Sequence, residues 1–345
     1  MSPSILLIIL SSLATGSIIV MSSHHWLFAW LGLELNTLAI IPIIATMHNP
    51  RSTEAATKYF LTQAAASAMI LFSSTINAWQ MGTWNIINIS STPAHILLTL
   101  ALAMKLGLAP MHFWLPEVLQ GVTLTTALII STWQKLAPLT LIYMTINNLS
   151  TTTLITLGLL SAIVGGWGGL NQTQARKIMA YSSIAHLGWM LSISTIMINI
   201  MILNLLIYLI LTTGLFCFLI TTQSKTIQDT MTTWTISPML TSTMMILLLS
   251  LGGLPPLTGF MPKWLILEEL ITQNLTSVAI MMTIATLLSL FFYLRLTYTT
   301  ALTLSPNTIQ TKLKWRLKPT LSTLFLMSSS VMSIFFLPMT PLLLS

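Results

Sequence analysis

The sequence predicts an all-α polytopic membrane protein with about eleven transmembrane helices. Hydrophobic residues make up 54% of the 345 positions and charged residues only 6%, whereas a soluble domain carries about 25% charge. Apolar windows of the roughly 20 residues that cross a bilayer recur almost from end to end. They are continuous runs rather than the ten-residue alternations of a membrane β-barrel, so we exclude that architecture.

Polar residues and Pro/Gly breaks separate the hydrophobic segments. The eleven predicted segments cover residues 3–21, 25–46, 57–78, 95–120, 124–145, 152–170, 175–195, 199–221, 237–272, 275–301 and 319–340.

The fourth and ninth segments are too long for one simple span. The fourth contains Gly107 and Pro110, and the ninth contains Gly253, Pro255 and Pro256. Proline removes a backbone donor and clashes with the preceding turn, so both helices should break there. Broken backbone at membrane depth is tolerated only where protein or a water-filled cavity surrounds it.

The two breaks correspond in sequence. A shift of 146 residues places Gly107 on Gly253 and Pro110 on Pro256, and each broken helix is the fourth in a set of five. Because five is odd, the second set enters the bilayer upside down, as in the inverted repeats of ion-coupled transporters. We therefore expect repeats at 1–146 and 147–301, followed at 302–345 by a linker and one extra C-terminal helix. The alternative is two unrelated kinks.

Basic residues fall on one side of this predicted topology. Ten of the 13 Lys and Arg residues lie in loops on the side of the N-terminus, or next to them. They are Arg51, Lys58, Arg176, Lys177, Lys225, Arg295, Lys312, Lys314, Arg316 and Lys318. The positive-inside rule makes this the cytoplasm-like side, with the C-terminus opposite.

The three basic residues that remain, Lys105, Lys135 and Lys263, lie inside the hydrophobic segments. The acidic residue Glu34 also lies about ten residues into the second segment. Each costs at least about 2.5–3.5 kcal/mol in hydrocarbon, so they should face the bundle interior, a partner or water. We interpret them as groups that hold and pass protons. The alternative is a static ion pair such as Glu34 with Lys105, plus lysines that snorkel to an interface.

Two histidines are further candidate relay groups, because histidine titrates near neutrality. His186 lies in mid-segment one turn after Ser182 and Ser183, and His112 lies inside the first helix break. The sequence favours equally the alternative that His186 only forms a hydrogen bond to a neighbouring helix.

Several kinds of site are not predicted. No phosphate-binding motif and no metal-spaced His/Cys cluster occurs, and the basic residues form no stripe for nucleic acid. The sequence therefore predicts no cofactor, metal or nucleic acid bound by this chain.

Five runs of sequence closely resemble the chain 2 family of NADH–ubiquinone oxidoreductase, a mitochondrially encoded subunit family of respiratory complex I. They cover residues 50–60, 105–117 (KLGLAPMHFWLPE), 168–174, 177–186 and 251–260 (LGGLPPLTGF). The resemblance runs along essentially the whole chain.

The resemblance implies roles for individual residues. Glu34 matches the acidic partner of Lys105, Lys135 matches a central relay lysine, and Lys263 matches the lysine of the second broken helix. His112 and His186 match family histidines. The implied activity is proton translocation driven by NADH oxidation and quinone reduction in other subunits. An independent cation/proton antiporter and a structural scaffold without its own proton route remain alternatives.

The resemblance also implies a setting. The chain would lie in the mitochondrial inner membrane with its N-terminus in the matrix and its C-terminus in the intermembrane space. Its partners would be other membrane-arm subunits, including the related antiporter-like subunit 4 and the small subunit 4L, and lipids such as cardiolipin. NADH, FMN, the iron–sulfur clusters and ubiquinone would be bound by other subunits.

Overall fold

The regular elements of this protein are helices. The structure, a computed structural model, describes residues 3–89, 91–302 and 323–340. Throughout these ranges every regular element is helical, which confirms the predicted all-α class. Most of the predicted linker and C-terminal region at 302–345, including Lys312, Lys314, Arg316 and Lys318, lies outside the described residues.

Sixteen α-helices follow one another within the described ranges. They are α1 (Pro3–Ser22), α2 (Trp26–Ile44), α3 (Pro50–Met81), α4 (Thr92–Leu106), α5 (Trp114–Gly121), α6 (Leu124–Ser131), α7 (Trp133–Thr145), α8 (Thr151–Gly168), α9 (Ala175–Ser194), α10 (Ile198–Thr222), α11 (Ile227–Met231), α12 (Thr233–Ile236), α13 (Pro238–Gly252), α14 (Phe260–Thr272), α15 (Thr276–Leu302) and α16 (Leu324–Phe335). Short 3₁₀ helices occupy Ala45–Met47 and Leu337–Met339.

Many of these helices suit a bilayer. Six in the described ranges are long and apolar enough to cross one: α1, α2 with its 3₁₀ extension to Met47, α3, α8, α10 and α15. Shorter apolar helices are α4, α13 and α16. Each of the eleven predicted segments contains one or two helices, whereas α11 and α12 occupy a connection that the sequence left unassigned. The number of membrane crossings stays a prediction.

The chain divides into two compact units. The first unit comprises residues 1–161 with 194–198, and the second comprises 162–193 with 199–345. In the first unit, α1 packs along α2, and α3 packs against both α4 and α5. In the second unit, α13 packs against α15 and α16.

Both predicted helix breaks are confirmed. Helix α4 ends at Gly107, with φ 79°, and helix α13 ends at Gly253, with φ 81°. This left-handed conformation is one that glycine adopts without steric cost, and it commonly closes a helix. The Gly107 N–H bonds the Ala103 carbonyl at 2.9 Å, and the Gly253 N–H bonds the Leu249 carbonyl at 3.1 Å.

The two broken helices also match in register. Helices α4 and α13 each have 15 residues. Their first residues, Thr92 and Pro238, are 146 positions apart, and so are Trp114 and Phe260, which begin the helices after the breaks. The sequence correspondence therefore extends to the bounds of the helices.

A further interruption was not predicted. Helix α6 ends at Ser131 and α7 begins at Trp133, with Thr132 between them at φ −113° and ψ −69°. The Thr132 hydroxyl donates to the Leu128 carbonyl at 2.7 Å. Such a bond offers the backbone an alternative to regular helix. Pro138 lies inside α7 and has no backbone N–H to donate to the preceding turn.

Candidate functional site

A small cavity in the first unit collects residues, several of them polar, from five helices. The lining residues are Leu33, Asn36, Thr37, Tyr59, Gln63, Lys105, Trp114, Gln134, Ala137 and Pro138. The position of Lys105 follows from the helix break, because it lies in the last turn of α4, two residues before Gly107.

Lys105 and Glu34 form the charged part of this site. Lys105 is only 6% exposed, and no described residue hydrogen-bonds its Nζ. Glu34 interacts with Lys105 electrostatically, but the direct ion pair considered from the sequence is not among the salt bridges of the described residues. The Glu34 carboxylate instead accepts from Thr37 Oγ1 at 2.7 Å and from Ser67 Oγ at 3.0 Å. The lysine is thus near its counter-charge but not bonded to it.

Two amides add to the polarity of this cavity. Asn36 Oδ1 and Gln63 Nε2 are buried, and neither finds a hydrogen-bond partner among the described residues. Buried polar atoms in proteins are nearly always bonded to protein or to ordered water. Together with Lys105 Nζ, they give the cavity both donors and an acceptor for water or a cationic group.

Lys135 and His112 do not line this cavity, but each is close in sequence to a residue that does. Lys135 is 4% exposed in α7, next to Gln134, which lines the cavity and donates to the Asn36 carbonyl at 3.4 Å. His112 is 5% exposed in the loop that joins α4 to α5. Its Nδ1 lies 3.2 Å from the Pro110 carbonyl oxygen.

In the second unit, Lys263 lies directly at the helix break. Its Nζ donates to the Gly252 carbonyl at 2.9 Å and to the Leu251 carbonyl at 3.3 Å. The last carbonyls of a helix have no partner within it and carry its partial negative charge. The carbonyls at the broken end of α13 therefore bind the ammonium of Lys263. No carboxylate of the described residues forms a salt bridge with it.

A second small cavity adjoins this lysine. It is lined by His186, Trp189, Asn204, Ile207, Tyr208, Leu211, Leu251, Gly259, Pro262 and Lys263. The structure thus brings together His186 and Lys263, two of the predicted residues, which are 77 positions apart.

The two breaks use their freed carbonyls differently. At the first break, the indole Nε1 of Trp114 donates to the Met104 carbonyl at 3.0 Å. At the second, the ammonium of Lys263 donates to the carbonyls of Leu251 and Gly252. Accordingly Lys105 precedes its glycine, whereas Lys263 follows its own.

Some polar residues of these cavities were not predicted from the sequence. They are Asn36, Tyr59, Gln63, Asn204 and Tyr208. The available signal was an amide or phenol inside an otherwise apolar helix, since such groups must find a partner in the bundle.

An exposed charge cluster joins α3 to α5. Lys58 Nζ lies 2.5 Å from Glu54 Oε1 and 2.6 Å from Glu117 Oε2. These are the salt bridges of the described part of the chain. Exposed pairs contribute at most about 1 kcal/mol, so this cluster is a minor support for the half-helix α5.

Helices broken at glycine, each with a buried lysine beside a polar cavity, define a membrane subunit of the antiporter-like class. The comparisons agree, because residues 23–289 match the family described as NADH:quinone oxidoreductase/Mrp antiporter, TM. Residues 290–344 match the family described as NADH dehydrogenase subunit 2 C-terminus.

Curated relatives give the particular family. The chain is 56% identical over 343 residues to NADH-ubiquinone oxidoreductase chain 2 of Varanus timorensis, covering 99% of each chain. It is 54% identical over 345 residues to the protein of that name from Xenopus laevis, covering 100% of each. The chain belongs to the NADH-ubiquinone oxidoreductase chain 2 family.

Solved structures show the same fold. A chain of respiratory complex I from Thermus thermophilus with bound aureothin matches with a TM-score of 0.86 and 25% identity, over 100% of this chain and 80% of that one. A chain of the Mrp complex from Dietzia sp. DQ12-45-1b matches with a TM-score of 0.82 and 16% identity, over 96% of this chain and 74% of that one.

Proposed function

We propose that this chain is a core membrane-arm subunit of a respiratory NADH:ubiquinone oxidoreductase and translocates protons. The route uses Glu34, Lys105, Lys135 and Lys263, with His112 and His186 as further relay groups. The observation that carries the proposal is the recurrence of one arrangement. In each unit a buried lysine lies at a broken helix, beside a polar cavity.

The physical basis is the response of a buried charge to its neighbours. Removing a group from water disfavours its charged form, whereas a nearby opposite charge or dipole favours it. Lys105 has Glu34 near it but unbonded, and Lys263 rests on the carbonyls of Leu251 and Gly252. A small movement of either set of partners changes the proton affinity of the lysine. Energy released elsewhere in the complex then drives proton uptake and release.

The proposed architecture has eleven membrane crossings. Two inverted repeats span 1–146 and 147–301, and a matrix-side linker and extra helix span 302–345. The 146-residue offset shared by the two broken helices supports the repeats. The proposed site is the mitochondrial inner membrane, with the N-terminus in the matrix and the C-terminus in the intermembrane space.

The proposed enzyme is a translocase whose redox groups lie in other subunits. NADH, FMN, iron–sulfur clusters and ubiquinone are proposed to bind there, and this chain to bind none. Its proposed partners are further membrane-arm subunits, including the antiporter-like subunit 4 and the small subunit 4L, with lipids such as cardiolipin. The names of the curated relatives and the complex I match support this assignment.

The test replaces one lysine in the assembled enzyme. Lys263→Met, made in this chain or at the matched position of a genetically tractable relative, removes the ammonium and keeps an apolar side chain of similar length. The matched control is Lys225→Met, because Lys225 is exposed. Protons moved per NADH oxidised are measured with the purified complex in liposomes, after assembly is checked.

We expect Lys263→Met to lower this ratio, or to abolish turnover and pumping together, while Lys225→Met resembles wild type. An assembled Lys263→Met enzyme with normal turnover and ratio would favour the scaffold instead. A chain that purifies without NADH dehydrogenase activity and exchanges cations for protons alone would favour the antiporter.

A further inference from the structure

Two buried tyrosines flank His186 in the second unit. Tyr208 of α10 is 2% exposed, and Tyr293 of α15 is 1% exposed. The two rings approach His186 from different helices. The centroids of the Tyr208 and His186 rings are 5.5 Å apart, and Tyr293 Oη lies 3.5 Å from His186 Nε2. A buried hydroxyl left without a partner is destabilising, so the contacts of these phenols are informative.

Two serines of α9 lie one turn before His186. Ser182 donates to the Met179 carbonyl and Ser183 to the Ala180 carbonyl, each at 2.7 Å. A hydroxyl has one proton to donate, so both serine protons are directed to the backbone rather than to His186.

Tyr293 can meet His186 in two ways. A phenol hydroxyl both donates and accepts, so Tyr293 Oη accepts from Nε2 when that nitrogen carries the proton and donates to Nε2 when it does not. The cluster therefore has two hydrogen-bond arrangements. The 3.5 Å separation is long for a bond and closes with a small movement.

The cluster adjoins the lysine cavity. His186, Tyr208 and Lys263 line the same space, and Tyr293 contacts His186 from α15. Asn204 lines that space too, and its Nδ2 is buried without a hydrogen-bond partner among the described residues. The titratable groups brought together here, one from each surrounding helix, are His186, Tyr208, Lys263 and Tyr293.

We propose that Tyr293 and Tyr208 are positioning residues for His186, which set the ring nitrogen that carries its proton and so control proton exchange between His186 and the Lys263 cavity. Tyr293 acts by accepting from or donating to Nε2. Tyr208 packs against the imidazole and holds the ring in place. The inference rests on the proposed proton-translocating function and adds two residues that the sequence did not indicate.

The test removes single hydroxyls and keeps the rings. Tyr293→Phe and Tyr208→Phe are made in the assembled enzyme and compared with Tyr298→Phe, a tyrosine of the same helix α15 that is 63% exposed. Protons moved per NADH oxidised are measured in liposomes across the neutral pH range. We expect Tyr293→Phe to lower the ratio and displace its pH profile, Tyr208→Phe to do so less, and Tyr298→Phe to match wild type.

A second background tests whether Tyr293 acts through the histidine. In a His186→Gln background, Tyr293→Phe should have no additional effect, because residues that act through one group are not additive.

The outcomes separate the two proposals. If the Tyr293→Phe and Tyr208→Phe enzymes match Tyr298→Phe in ratio and profile while Lys263→Met lowers the ratio, the positioning role is wrong and the proton route stands. If Lys263→Met also leaves the ratio unchanged, the route through this unit is wrong as well. Should Tyr293→Phe fail to assemble, the Tyr208→Phe profile decides the positioning role.

Discussion

Gly253 leaves open the space that the Lys263 side chain occupies. A β-carbon on Gly253 would come within 2.9 Å of Lys263 Cδ and 3.0 Å of its Nζ. The same glycine ends α13 in the left-handed region, at φ 81°. One residue therefore both breaks the helix and admits the ammonium to the freed carbonyls.

The first prediction concerns this glycine. Gly253→Ala forces a β-carbon into the left-handed region, at about 1–2 kcal/mol, and displaces Lys263 from the carbonyls of Leu251 and Gly252. We expect fewer protons per NADH in the assembled complex. Gly252→Ala is the matched control, because its β-carbon meets only Tyr293 Cδ2 at an ordinary 3.8 Å. Equal behaviour of the two variants would contradict the assigned role of Gly253.

The second prediction concerns the acid of the first unit. Glu34→Gln keeps an acceptor oxygen for one of the two hydroxyls, Thr37 or Ser67, and removes the charge near Lys105. The complex should assemble with normal yield and pump fewer protons per NADH. Glu268→Gln, at an exposed carboxylate, serves as the control. A Glu34→Gln enzyme that assembles poorly but pumps with a normal ratio would indicate a structural role alone.

The third prediction concerns Arg295 of α15. Its guanidinium donates to the Leu170 carbonyl at 2.6 Å and also to the Gln172 carbonyl, just after the end of α8. The planar guanidinium donates to both carbonyls in a fixed geometry, which the compact ammonium of a lysine cannot reproduce. Arg295→Lys should therefore destabilise the second unit by about 1–3 kcal/mol, seen as a lower thermal midpoint of the purified complex. Arg51→Lys, at an exposed arginine, should leave the midpoint unchanged.

The fourth prediction is a pH dependence outside the spanning helices. Asp229 Oδ2 accepts from the N–H groups of Thr226 at 2.8 Å and Lys225 at 3.0 Å, at the start of α11. Burial raises the pKa of Asp229, but these hydrogen bonds and the Lys225 charge outweigh it, so the pKa lies below its usual value. The stabilisation is present above the unfolded pKa, and it is lost as pH falls through the folded pKa.

Hydrogen exchange at the Thr226 amide measures this effect. After correction for the intrinsic pH dependence of exchange, protection should fall in acid in the wild-type chain. Asp229→Asn, which cannot ionise, should show a flat profile. Protection that falls equally in both would point to another group.

The fold class could be read from the sequence because it depends on local properties. Composition sets whether water or lipid can solvate the chain, and the glycines and prolines at 107–110 and 253–256 set where two helices end. The interruption at Thr132 was missed, because a threonine inside an apolar run gives no distinctive signal until its hydroxyl is seen to bond the Leu128 carbonyl. The membrane crossings and the inverted orientation of the repeats stay predictions.

The sequence by itself determined that the chain is helical and has the composition of a membrane protein, and that two of its helices break. It also placed Glu34 and three lysines within apolar segments. It could do so because each statement rests on neighbouring residues. Only the tertiary structure decided what those groups touch. Lys263 rests on backbone carbonyls, Glu34 bonds hydroxyls rather than Lys105, and His186 meets Tyr293, 107 positions away. Such contacts depend on how helices pack, and helix packing brings together residues whose separation along the chain gives no sign of it.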